Sequence, residues 1–233
     1  HREMRILAAS IVETHPRPRN VAASRAIYPL PEESLSLDQI DSLMLRGPVR
    51  HTTALDPILD RLKPSEGMSL VTWVETVSNY IHTSFQYARD VTLASSPIDD
   101  VLKYGKGVCQ DFTHLILAIL RCYQVPARYV SGYIHRPDKE SQSHAWCEFW
   151  LPDIGWVGID PTNDRYVDEH FVKVAIGRDF TDLPPNKGLY KGKGTESIFV
   201  RVETRTLEAL PSLSWQEQLP PLHVPMTEII TGR

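Results

Sequence analysis

The stretch KGVCQDFTHLILAILRCYQVPARYVSGYI, residues 106–134, holds the junction between two kinds of structure. Phe112, Leu115, Ile116, Ile119 and Leu120 recur at helical spacing, and Leu117 and Ala118 widen that face. The spacing predicts a central helix buried nearly all round. Pro126 closes it, and the β-rich run ARYVSGYI (127–134) follows. A cysteine retained for packing belongs inside such a helix, as Cys122 does, whereas Cys109 falls where the helix begins. Unpaired backbone N–H groups and the positive end of the helix dipole stabilise a thiolate at that position. The same N–H groups are suited to an oxyanion.

Upstream of the junction the pattern is helical from 65 onward. SLVTWVETVSNYIHTSF (69–85) sets Leu70, Trp73, Val74, Val77 and Ile81 on one face, with Ser69 as cap. SSPIDDVLKYGKG (95–107) reads as a compact helix capped by Ser96, with Pro97 in its first turn and Gly105 as its stop. SLDQIDSLMLR (36–46) reads as a short helix capped by Ser36 or Asp38. Residues 1–15 alternate in part and read as a strand; 16–35 are broken by prolines.

Downstream, HAWCEFWL (144–151), WVGID (156–160) and SIFVRVETRT (197–206) read as further strands separated by turns. Helices followed by a meander predict an α+β domain with helices packed on an antiparallel sheet.

Cys109 needs a base, and the base needs an orienting partner. His144 starts one predicted strand and Asp160 ends the next. A four-residue turn 152–155 would put them on opposite faces. A three-residue turn, pairing Leu151 with Gly155, makes them diagonal neighbours on one face. The catalytic reading therefore requires an odd-length turn or a bulge, and Gly155 suits either. His114 reads as a structural histidine, Asp111 as a capping or tuning group, and Cys122 and Cys147 as core. A zinc set of Cys109, His114, His144 and Cys147 fails, because strand parity points Cys147 away from His144.

A net charge of −4 without a long basic run argues against nucleic acid as the main partner. No apolar stretch reaches the ~18 residues of a membrane helix. Three cysteines without disulfide or metal spacing point to a reducing, cytoplasmic setting.

GVCQDFTHLILAILRCYQVPARYVSGY, SHAWCEFWLPDIGWVGIDPTN and AIGRDFTDLPP closely resemble the bacterial transglutaminase-like family of the papain-like superfamily, over about residues 65–205. The resemblance implies a catalytic core at 51–208 and a C-terminal tail at 209–233. Residues 1–50 would then be the end of, and linker from, an N-terminal β-domain. It implies Cys109 as nucleophile, His144 as base and Asp160 as orienter of a cysteine protease or amidohydrolase. That enzyme would act on a peptide or protein substrate through a thioester. It also implies no cofactor or metal, since the carboxylate-rich calcium loop of animal crosslinking relatives is not visible. Trp146 and Trp156 are candidates for the walls of the acyl groove. Trp73, Tyr87 and Gln110 are candidates for the oxyanion side. The alternatives are a transglutaminase joining glutamine to lysine and a non-catalytic scaffold. Crosslinking needs a channel that excludes water, and nothing in the sequence shows one, so hydrolysis is expected.

Overall fold

The structure is a computed structural model that describes residues 8, 10–14, 20–31, 35–92, 96–136, 142–184 and 202–207. Its centre is helix α5, Cys109–Cys122, in which every residue from Asp111 to Arg121 is buried. One face of α5 packs on helices α3 (Leu70–Ser84) and α4 (Ile98–Tyr104), the other on strands β3 (Ala127–Ile134) and β4 (Gln142–Leu151). Each of its fully buried leucines and isoleucines contributes roughly 1.5–3 kcal/mol through removal from water. The predicted face of α3 is the buried one, and Ser69 accepts the Thr72 N–H as its cap.

Helix α1, Leu37–Asp41, begins after Ser36, whose N–H donates to the Gln39 side chain. Pro97, rather than Ser96, occupies the cap position of α4, and Gly105 ends it with a left-handed φ of 63°. A further helix, α2 (Asp56–Leu62), was not expected. It buries only Ile58 and Leu62, too few apolar positions to stand out as a period.

Two short parallel strands, β1 (Gln86–Tyr87) and β2 (Lys106–Gly107), tie the end of α3 to the approach to α5. Among the described residues the main sheet has five antiparallel strands in the order β6-β5-β4-β3-β7, with β5 at Gly155–Asp160, β6 at Arg165–Tyr166 and β7 at Phe171–Gly177. The fold is therefore α+β, as the pattern predicts. The fifth strand differs. β7 lies beside β3, whereas residues 202–206 of the expected strand 197–206 form none, and 197–201 lie outside the described residues. Val174 and Ile176 of β7 face solvent, so β7 lacks the alternation that marks a half-buried strand.

Within the expected strand 1–15, residues 10–14 have no regular structure, and 1–7, 9 and 15 lie outside the description. The tail 209–233 lies outside it as well. Val21, Leu30 and Val49, from the first fifty residues, join the main core.

The sheet coils strongly. Arg165 on one edge strand and Phe171 on the opposite edge strand meet, with the guanidinium 5.2 Å from the ring centre. The convex face carries Ala145, Cys147, Phe149 and Leu151 against α5. The concave face carries Val130, Ile134, Trp146 and Phe171. Gly132 makes that packing possible: a Cβ there would lie 2.1 Å from the Val172 carbonyl and 2.7 Å from the Trp146 ring.

Candidate active site

Cys109 is the first residue of α5 and is half-buried. Its approach is held on two sides. Ala88 N–H donates to Gly107 O at 2.9 Å, and the Asp111 carboxylate accepts the Val108 N–H at 2.8 Å and the Thr92 hydroxyl at 2.6 Å. The Asp111 side chain occupies the space over Gly107, where a Cβ would sit 2.8 Å from Oδ2. Burial raises the Asp111 carboxyl against the opposing pull of those two donors.

The β4–β5 turn is the three-residue form, with Leu151 paired to Gly155. Gly155 has φ +100°, a conformation that other residues rarely adopt. His144 and Asp160 consequently share a face, and His144 Nε2 lies 2.7 Å from Asp160 Oδ2. The Cys109 side chain stands beside the same ring, close enough to favour its charged form. With Nε2 turned to Asp160, Nδ1 is the ring nitrogen left for sulfur.

His144 shares the concave face with Trp146 and Phe171, its ring centre 6.4 and 6.0 Å from theirs. Helix α5 packs on the convex face. Thiol and imidazole therefore meet at the end of the sheet, where β4 and α5 both begin, and not through it.

Burial disfavours charge on His144, but Asp160 and Cys109 outweigh it and push the imidazole up to about 10. Asp160 is fully buried. Burial pulls its carboxyl upward, and the donors from His144, Asn163 and Thr162 bring it below the usual value. Oδ1 accepts the Thr162 N–H at 2.9 Å, and Oδ2 accepts Asn163 Nδ2 at 2.6 Å as well as His144. An arrangement of thiol, imidazole and carboxylate of this kind can pass a proton between sulfur and nitrogen while the carboxylate holds the ring in one tautomer.

The other sequence-predicted residues are distributed as follows. Trp146 lies beside His144 but is fully buried in the concave cluster. Trp156 stands at the far end of β5, four residues or roughly 13 Å along the strand from Asp160. There it stacks under Arg128, 4.1 Å from the guanidinium carbon, and beside Trp150. Trp156 therefore does not flank the site, because the strand carries it away. Both tryptophans line a cavity of about 670 Å³ on the concave face, together with Glu148, Trp150 and Lys173.

Trp73 is removed from the oxyanion side: it is buried among Tyr28 and Tyr123 and donates its indole N–H to Leu62 O at 2.7 Å. Tyr87 pairs with Gly107, two residues before the cysteine, and is exposed. His114 is fully buried and accepts the Phe180 N–H at 3.2 Å, as a structural histidine should. Cys147 faces α5, away from His144, and Cys122 is half-buried with its thiol pushed up to about 11 by burial.

Sequence reasoning missed Asn163 and Arg121. Asn163 stands in the quoted motif, but turn residues are common after an aspartate. An arginine in the last turn of a helix is ordinarily solvated. Arg121 is in fact fully buried and donates to the carbonyls of Met44, Ala127 and Arg178.

The profile of the transglutaminase-like superfamily matches residues 63–161, the span that contains all three members of the series. Uncharacterized protein ML0607 of Mycobacterium leprae (strain TN) is 32% identical over 220 residues, 89% of this chain and 75% of the relative. A protein-glutamine gamma-glutamyltransferase of Pseudomonas aeruginosa is 25% identical over 133 residues, 51% of this chain and 19% of that protein. The solved structure described as a "Putative Cysteine Protease from Cytophaga hutchinsonii" superposes with a TM-score of 0.58 at 26% identity. That superposition covers 66% of this chain and 52% of the solved one, so this chain spans about half of that protein. The chain belongs to the transglutaminase-like superfamily.

Proposed function

We propose that the protein is a cysteine-dependent acyl-transfer enzyme that cleaves an amide or peptide bond through a thioester. The observation that carries this reading is the 2.7 Å hydrogen bond from His144 to the buried Asp160, with Cys109 at the start of α5 beside the same ring. The Cys109 sulfur attacks the substrate carbonyl carbon, and the carbonyl oxygen takes the negative charge beside the N–H groups that open α5. His144, protonated, gives its proton to the leaving amine as the C–N bond breaks, which leaves the acyl group on sulfur. Water then loses a proton to His144 and attacks the thioester. The carboxylic acid departs and the thiolate–imidazolium pair is restored. Asp160 keeps its charge throughout and stabilises the imidazolium.

Hydrolysis is the primary reading. Similarity to a protein-glutamine gamma-glutamyltransferase supports a second one, in which an amine replaces water. Two measurements test the proposal. Alkylation of Cys109 by iodoacetamide at about pH 6 is expected to be fast and to slow at least about tenfold in His144→Ala. If Cys109 reacts no faster than Cys122 and His144→Ala changes nothing, the enzyme reading fails. Incubation with a glutamine-rich protein and an amine probe separates the two chemistries. Fragments or ammonia without probe incorporation support hydrolysis, and Cys109-dependent probe incorporation supports transfer.

A further inference from the structure

We infer that Asn163 is a positioning residue for the Asp160–His144 pair, oriented by Arg136 and braced through its turn to helix α3. The inference rests on the function proposed above and names residues to which that function gives no part.

A carboxylate's terminal torsion is broad, so an aspartate fixed by one donor is free to turn away from its imidazole. Asp160 has no such freedom: Thr162 N–H holds Oδ1, and Asn163 Nδ2 shares Oδ2 with His144. An amide can present either end, and only its NH₂ end serves Asp160. Arg136 selects that end, since its Nη2 lies 3.3 Å from Asn163 Oδ1 and a guanidinium only donates. Rotating the amide would set its NH₂ against the guanidinium and its oxygen against the carboxylate, two repulsions at once.

The turn carrying Asn163 is also pinned from outside the sheet. Asp164 has a left-handed φ of 48°, which is costly for a residue other than glycine. It is held there by Ser78 Oγ at 2.7 Å and Asn79 Nδ2 at 2.8 Å, both from α3. His82, one turn further along α3, donates from Nδ1 to Thr162 O at 2.9 Å. Three side chains of one helix thus grip the residues on either side of Asn163. The helix layer that buries α5 also fixes the carboxylate that orients the base.

The test uses Asn163→Leu, which keeps the side-chain volume but donates nothing, and Arg136→Met, which keeps the stem but lets the amide turn. Two readouts are taken on the intact protein: the downfield NMR resonance of the His144 Nε2 proton, and the rate of Cys109 alkylation per folded molecule. Loss of this donor to the charged carboxylate is expected to slow alkylation at least about tenfold. The resonance should broaden or vanish, and Arg136→Met should shift both readouts in the same direction by less. Asp160→Asn calibrates the full effect.

Lowered thermal stability with both readouts unchanged assigns Asn163 a purely structural part and overturns the inference. If Asn163→Leu does not fold, Arg136→Met decides by the same criteria. Should His144→Ala leave alkylation untouched, the proposed function fails, while the resonance still reports on Asn163.

Discussion

Leu151 pairs with Gly155 across the β4–β5 turn, and that pairing is what brings His144 and Asp160 onto one face. A turn one residue longer would have inverted every side chain of β5 relative to β4. The 2.7 Å contact between imidazole and carboxylate is thus a consequence of turn length, set by a pairing whose Leu151 lies seven residues after His144 and whose Gly155 lies five before Asp160. It leads directly to an expected titration.

His144, raised to about 10 by Asp160 and Cys109 against burial, should lose most of that elevation in Asp160→Asn and titrate closer to 6.5. The linkage has a definite sign. The imidazolium's contribution to stability is fully present below 6.5 and is lost as pH rises towards 10. Asp160 is depressed, so its contribution is present above its usual value near 3.8 and is lost as pH falls through the lower folded value. NMR titration of His144 in parent and variant measures the first effect. Urea unfolding across the same range measures the linkage.

His114 gives the opposite pH behaviour. Burial holds its imidazole down at about 4, so the neutral ring's contribution is present above 6.5 and drains away between 6.5 and 4. The slope it adds to unfolding free energy is at most about 1.4 kcal/mol per pH unit. His114→Gln, which keeps an acceptor for the Phe180 N–H, should flatten the acid limb of the stability curve over that interval. A parallel acid limb in the two proteins would contradict this.

Gly132→Ala should be among the most damaging single-methyl changes. The added carbon meets the Val172 carbonyl and the Trp146 ring, both in packed surroundings. Overpacking of this kind costs on the order of 1–3 kcal/mol or more. Because Gly132 lies opposite His144 across β3 and β4, thiol reactivity should fall along with the melting temperature. A melting temperature within about one degree of the parent would show that β7 yields more readily than its backbone contact implies.

Arg121→Met removes the donor from three carbonyls while keeping much of the stem volume. Leaving several buried acceptors unsatisfied should cost about 3 kcal/mol or more, read as a shift in urea midpoint with little change in slope. Alkylation of Cys109 per folded molecule should be unaffected, since Arg121 sits at the opposite end of α5.

The distribution of these residues explains how much the sequence tells. Helices α3 and α5 and strands β3 to β5 were legible because each keeps a strong period or a bounded β-rich run. The cysteine, histidine and aspartate stand out in the sequence because each lies at or near an element's end. β7 was hidden by Val174 and Ile176, whose exposure breaks the alternation. Arg121 was hidden because its partners are backbone carbonyls from three distant segments, which no local pattern encodes. Trp156 misled because nearness in sequence to Asp160 is distance along an extended strand. Asn163 was in plain view, but its use depends on an arginine 27 positions earlier.

The sulfur rides on the helical layer and the ring near the start of the middle strand of a coiled sheet, and they approach only where the two layers run out together. Their separation is therefore a gauge of how one slab is seated on the other. A wedge driven into that seam, whether a bulky core substitution or a small molecule, should silence the thiol long before either slab comes apart.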